Sequence, residues 1–204
     1  KPYTFSRIYQ LLNPGKWTIK KKSDQVLFIH DLEDKAYSYH YEKTVRLTKD
    51  KPELILYHTL KNTGVRTIET NVYDHNFFVI DKHPIGPGLV VKFPFNLKGE
   101  GIGFGELAEI QGNQISFLRA IGNGEHAECY DLEGYGPGAD DYDIIIENRI
   151  TGAGVRITCD QPFLKLAFWC CPTTLCPEPY IKIKVEPGKE ITWTIKYEFY
   201  TLTK

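Results

Sequence analysis

The chain has 204 residues, of which 42% are hydrophobic and 25% charged, and 25 basic against 26 acidic side chains leave a net charge of −1. These values are typical of a soluble globular protein and exclude a disordered or strongly basic chain. The longest basic run, residues 20–22, is too short for a nucleic-acid footprint, and no apolar stretch approaches the ~20 residues of a membrane-spanning helix. We therefore expect neither a nucleic-acid nor a membrane partner.

Alternation of apolar and polar residues predicts β-strands along most of the chain. In chain order, the predicted strands cover residues 37–47, 54–60, 68–76, 90–95, 114–117, 142–148, 155–159, 165–170, 180–185 and 191–200. Glycine- and proline-rich turns, such as residues 86–88 and 186–188, separate them. No window of helical length holds a convincing apolar pattern with helical spacing.

The predicted strands indicate an all-β fold. About ten to fifteen short strands with turn signals between them are typical of a sandwich or a barrel. We predict a large antiparallel β-sandwich with little helix, and long loops at residues 98–105 and 134–141. No internal repeat or linker divides the chain, so residues 1–204 are expected to form one domain.

Two ionisable residues are the leading candidates for catalysis. His75 closes a predicted strand, and an imidazole exchanges protons near neutral pH. Glu178 lies between Pro177 and Pro179, whose rings restrict the backbone and hold the carboxylate with little loss of entropy, as suits a general base. The structural alternatives are a hydrogen-bonded histidine at a strand end and an exposed glutamate in a turn.

Asp143 opens an apolar strand, where a carboxylate can point into a cleft and hold sugar hydroxyls. A solvated aspartate at a strand end is the competing interpretation. No P-loop, GxSxG, HExxH or dinucleotide-binding motif is present.

The five cysteines leave the redox compartment open. Cys170 and Cys171 are adjacent in a strand and would point to opposite faces, so we do not expect them to bond. Cys171 and Cys176 can close a small loop disulfide under oxidising conditions, but buried free thiols are the preferred interpretation. We expect no metal site, since no second close pair of cysteine or histidine accompanies them.

Several segments in fixed order resemble one family. Residues 60–64 contain an asparagine–threonine turn, and the chain then runs into residues 70–78, which hold a histidine followed by an aromatic pair. This order resembles a segment of the aldose 1-epimerases. The family's glycine-turn hairpin resembles residues 148–162 of this chain. Its late glutamate corresponds in position to Glu178, and the turn before its last strand resembles residues 185–190. The chain thus resembles the aldose 1-epimerase, or galactose mutarotase-like, superfamily, and its mutarotase-like members rather than the best-known galactose enzymes. The resemblance implies a galactose mutarotase-like supersandwich.

The resemblance also implies an activity, the interconversion of sugar anomers by acid–base catalysis without metal or cofactor. His75 would be the general acid and Glu178 the general base, and a sugar or sugar derivative the partner. The substrate-binding residues would be Asp143, Asn76, Phe77 and Trp169.

The chain departs from the family pattern at its start. The family's second histidine and its usual arginine come from a segment that would precede Lys1, so the domain is expected to lack the first strands. An N-terminal fragment or a second copy of the chain is then expected to cover an open sheet edge. The competing function is a non-catalytic carbohydrate-binding sandwich, or an accessory domain of a polysaccharide-processing protein.

Overall fold

The computed structural model describes residues 4, 7–34 and 36–202, and the expected open edge at Lys1 lies outside these residues. The regular secondary structure of the described residues is all β-strand apart from one 3₁₀ turn at Ala139–Asp141, and these residues include no helix long and apolar enough to cross a bilayer. The strands are β1 (Lys16–Lys21), β2 (Gln25–Leu32), β3 (Tyr39–Leu47), β4 (Glu53–Asn62), β5 (Ile68–Tyr73), β6 (Leu89–Lys92), β7 (Ala108–Gln111), β8 (Gln114–Phe117), β9 (Ala127–Leu132), β10 (Asp143–Asn148), β11 (Ala153–Cys159), β12 (Lys165–Cys171), β13 (Thr174–Val185) and β14 (Glu190–Thr201).

The strands form two antiparallel sheets, which confirms the predicted β-sandwich. The larger sheet has ten strands in the order β1-β2-β3-β4-β14-β11-β10-β6-β8-β7, and the smaller has four in the order β5-β13-β12-β9. Each strand pairs with its neighbours in antiparallel register, for example Trp193 with His58 and Glu178 with Ala167.

The core lies between the facing sides of the two sheets. In β13 the odd-numbered residues Ile181, Ile183 and Val185 are buried in it, and in β14 so are Trp193 and Ile195. Because successive side chains of a strand point to opposite faces, the even-numbered residues of β13 lie on the outer face of the smaller sheet.

Two prolines interrupt the pairing between β5 and β13. Leu175 exchanges both backbone hydrogen bonds with Phe78, which follows β5 in the chain. Every second residue of β13 after Leu175 therefore directs its backbone groups towards β5 and the segment that follows it. Pro177 and Pro179 occupy the next two such positions and have no N–H to donate. The regular pairing with β13 resumes only at Tyr73, so the segment 74–77 leaves the sheet.

Candidate active site

His75 and Glu178 meet on the outer face of the smaller sheet. Glu178 belongs to β13, and His75 belongs to the segment that the two prolines release from β5. The Nε2 of His75 lies 3.2 Å from the Oε1 of Glu178. Glu178 is buried, whereas 34% of the His75 side chain is exposed, so the pair is open to solvent from the imidazole side.

The surroundings of Glu178 set the basicity of its carboxylate. Burial raises the pKa of Glu178, because a desolvated carboxylate is disfavoured, and the nearby charge of Glu128 acts in the same direction. The positive charges of His75 and Lys165 oppose this pKa shift, and so does a hydrogen bond from the hydroxyl of Tyr180. The result is a carboxyl group with a raised pKa that still has partners for its ionised form.

Aromatic rings border the pair. Phe77 stacks on the imidazole of His75 with ring centroids 4.3 Å apart, and Trp169 meets the same imidazole edge-on at 6.0 Å. Phe77 is 61% exposed, which leaves most of its ring without a partner inside the protein. The site therefore combines two ionisable groups with accessible aromatic surface.

Two of the expected substrate-binding residues lie elsewhere. Asp143 is in the larger sheet, and the burial of Ile144 and Ile146 in the core places it on the face turned away from the smaller sheet. Its carboxylate accepts hydrogen bonds of 2.8 and 2.6 Å from Arg156. The amide of Asn76 donates to the hydroxyl of Tyr197, at 2.8 Å, in the interior. The structure thus brings His75, Glu178, Phe77 and Trp169 together, and leaves Asp143 and the side chain of Asn76 apart from them.

The structure adds residues that the sequence analysis did not select. Glu128 in β9 pairs across the sheet with Trp169, and it accepts a 3.0 Å hydrogen bond from the hydroxyl of Tyr130. The Nε2 of His126 lies 3.9 Å from the Oε1 of Glu128. In β9 the side chains of Glu128 and Tyr130 are on the outer face, whereas those of Ala127 and Cys129 are buried.

The cysteines are all free thiols, and four of the five are buried. The loop disulfide between Cys171 and Cys176 is therefore not formed, and buried thiols are the correct alternative. Cys176 lies on the outer face, two positions before Glu178, and the backbone N–H of Asn76 donates to its sulfur. Burial raises the pKa of the Cys176 thiol, as does the charge of Glu178.

A separate cavity of about 370 Å³ lies on the inner side, between β3, β4 and β14 and the strands β5 and β13. The walls are mostly apolar. Buried His58 and partly buried Asp74 line it, and the Nε2 of His58 and the Oδ2 of Asp74 have no hydrogen-bond partner among the described residues. Burial lowers the pKa of His58 to about 4, so its imidazole is neutral at physiological pH. The cavity walls do not include His75 or Glu178.

Comparisons with known proteins identify the fold. No protein-family model and no curated protein matches the sequence. Among solved structures, the GalM/aldose epimerase homologue from C. elegans superposes with a TM-score of 0.64 at 12% identity, over 92% of this chain and 69% of that chain. A galactose mutarotase related enzyme from Lactobacillus acidophilus gives a TM-score of 0.63 at 11% identity, over 92% and 72%.

A third structure agrees with these two. A galactose mutarotase-like protein from Clostridium acetobutylicum gives a TM-score of 0.61 at 15% identity, over 92% of this chain and 67% of that chain. The chain therefore has the β-sandwich fold of the aldose 1-epimerase and galactose mutarotase-like proteins.

Proposed function

We propose that the protein interconverts the anomers of an aldose by acid–base catalysis at His75 and Glu178. The observation that carries this proposal is the 3.2 Å approach of His75 Nε2 to Glu178 Oε1 on one face of the smaller sheet. An acid and a base must act on the ring oxygen and the anomeric hydroxyl of one sugar, and these two oxygens are bonded to the same carbon. Two groups that converge on one point suit that task.

The reaction needs one proton given and one taken. Protonated His75 donates to the ring oxygen while the Glu178 carboxylate removes the proton of the anomeric hydroxyl, and the bond between the anomeric carbon and the ring oxygen breaks. The resulting aldehyde turns about its bond to the next carbon. Ring closure on the other face returns both protons, with Glu178 now the acid and His75 the base. Each positioned group contributes roughly 10²–10⁴-fold to the rate.

The neighbouring side chains supply binding. Phe77 and Trp169 offer aromatic surface to the apolar face of a pyranose. Glu128, which shares the face with Trp169, is the carboxylate we assign to the sugar hydroxyls in place of Asp143. The names of the structural neighbours, which include galactose mutarotase related and aldose epimerase proteins, support an aldose as substrate.

One observation favours the competing function, a non-catalytic carbohydrate-binding sandwich. In the part of the chain that the structure describes, His75 is the only histidine at ion-pair distance from Glu178. The resemblance implies a second histidine in the reaction, and a site with one of the two can bind a sugar without turning it over.

The exchange of anomers observed by NMR separates the two functions. Catalysed exchange of an aldose that is lost in His75→Asn and Glu178→Gln supports the enzyme. Binding of the sugar without exchange supports the binding module.

A further inference from the structure

The pair of His75 and Glu178 has a third neighbour that the acid–base chemistry does not use, the thiol of Cys176. Cys176 precedes Glu178 by two positions in β13, so both side chains lie on the outer face. The ligand atoms of the three residues, a ring nitrogen, a sulfur and a carboxylate oxygen, all lie within 4.8 Å of one another. We propose that His75, Cys176 and Glu178 bind a single Zn²⁺ ion.

The distances are close to those of a tetrahedral zinc site. Zinc binds sulfur at about 2.3 Å and nitrogen or oxygen at about 2.0–2.2 Å, so ligand atoms around it are roughly 3.3–3.7 Å apart. The Nε2 of His75 and the Oε1 of Glu178 already lie 3.2 Å apart. The sulfur of Cys176 is at most 4.8 Å from the other two ligand atoms. Adjustments of roughly 1 Å in the three side chains bring all the ligand atoms to these separations.

The ligand types select the metal. Mg²⁺ and Ca²⁺ take oxygen ligands, whereas a thiolate with an imidazole suits Zn²⁺. Cys176 and Glu178 are buried and belong to one strand, so the backbone positions of two of the three ligands are fixed in advance. Lys165 brings a positive charge near the site, but its ammonium is 3.3 Å from the carboxylate of Asp131, which offsets that charge.

Three protein ligands leave one position of the tetrahedron open, which is the arrangement of zinc sites that bind a water or a substrate oxygen. Bound zinc occupies the Nε2 of His75 and a carboxylate oxygen of Glu178. If the proposed function is correct, on which this consequence rests, zinc and the acid–base reaction exclude each other, and added zinc inhibits anomer exchange.

The test measures zinc binding directly, without reference to sugars. The chelator-treated full chain is kept reduced, titrated with ZnCl₂ against a chromophoric chelator, and separately titrated with CoCl₂. We expect one zinc per chain and a sulfur-to-cobalt charge-transfer band. Cys176→Ser should remove the band and weaken zinc binding at least tenfold, as expected when a ligand is lost.

The matched control is Cys171→Ser. Cys171 is a half-buried thiol at the end of β12, with its sulfur 3.6 Å from the hydroxyl of Thr173, and it is not one of the three ligands. Its removal should leave the stoichiometry, the affinity and the cobalt band unchanged. Because Cys176 is fully buried and its variant can fail to fold, His75→Asn, at the more exposed ligand, serves as the second variant and should also weaken binding at least tenfold.

The outcomes are separable from those of the proposed function. Absence of zinc binding, or equal binding by wild type, folded Cys176→Ser and His75→Asn, overturns the metal site and leaves the sugar chemistry unaffected. If the zinc-free protein shows no anomer exchange but binds zinc when zinc is added, the proposed function is overturned and the metal site stands.

Discussion

The Nε2 of His75 lies 3.2 Å from the Oε1 of Glu178, although the two residues belong to segments that do not pair with each other. The contact depends on Pro177 and Pro179, which cannot donate backbone hydrogen bonds and so release the segment that carries His75 from the sheet. The same prolines flank Glu178. One local sequence feature therefore positions both members of the pair.

Lys165 is expected to set the lower pH limit of the reaction. The positive charge of Lys165 opposes the burial that raises the pKa of Glu178. In metal-free Lys165→Met the pKa of Glu178 rises further, so the base is ionised only at higher pH and the acid limb of the pH–rate profile moves upwards. The rate on the plateau should change little. Lys182→Met, which removes a lysine paired with Glu69 on the same face, is the control and should leave the limb in place. An unshifted limb in Lys165→Met would show that Glu178 is not the titrating base.

Phe77 is expected to contribute to sugar binding rather than to the fold. Its ring is 61% exposed, so Phe77→Ala removes little buried surface within the protein. A loss of about 1.4 kcal/mol of contact with a sugar corresponds to a tenfold weaker affinity, and we expect KM to rise by roughly that factor. Phe199→Ala, at an exposed aromatic of the larger sheet, should not change KM. Equal KM values for both variants would exclude Phe77 from the binding site.

Asp143 is expected to be dispensable for exchange. Its carboxylate is held by Arg156 on the outer side of the larger sheet. Asp143→Asn should leave the exchange rate within about twofold and lower the free energy of unfolding by about 0.5–1 kcal/mol, the usual contribution of a partly exposed ion pair. Urea denaturation and NMR exchange measure the two effects. A tenfold loss of rate with an unchanged urea midpoint would return Asp143 to the site.

His58 is expected to make the fold sensitive to acid. Burial lowers the pKa of His58 from 6.5 to about 4, so the folded protein disfavours the charged imidazole that the unfolded chain accepts. The stability that follows from this difference in pKa is complete above pH 6.5 and is lost as the pH falls towards 4. At about 1.4 kcal/mol per unit of pKa difference, the loss is on the order of 3 kcal/mol.

The comparison with His58→Gln isolates this contribution, because glutamine keeps a hydrogen-bond acceptor for Tyr41 and does not titrate. Urea midpoints of the two proteins, measured at several pH values from 7 to 4, should converge as the pH falls. Parallel pH profiles would show that His58 is not buried as a neutral imidazole.

Most of the strands that the sequence predicted, such as β4 and β14, have one buried and one outer face. In β4 and β14, apolar residues alternate because only one side of each strand meets the core. The alternation is weak in β1 and β2, which are largely exposed or half-buried on both faces, so these strands were not predicted. In β9 an irregular register opposite Leu166 and Phe168 breaks the period of two and hides that strand.

Only part of the candidate site could be predicted from the sequence. The chemistry of His75 and Glu178 and their order along the chain could be recognised from the sequence. The sequence did not show to which sheet Asp143 belongs. Alternation indicates which residues share a face of one strand, but not which faces of different strands meet in the fold. Glu128 carried no motif of its own, and only the pairing of β9 with β12 brings it beside Trp169.

Two-dimensional NMR exchange on several aldoses measures whether His75 and Glu178 catalyse anomer exchange as acid and base. Wild type, His75→Asn, Glu178→Gln and the control Asp143→Asn are compared at equal concentration. Glu178→Gln should unfold at no lower temperature than wild type at pH 7. The reason is that burial raises the pKa of Glu178, so the folded protein disfavours the ionised carboxylate that the glutamine replaces.

We expect exchange above the uncatalysed rate for at least one aldose, reduced about 10²-fold or more in each of the two site variants and unchanged in the control. Catalysed exchange that continues at the wild-type rate in folded His75→Asn and Glu178→Gln would exclude this pair as the acid and the base.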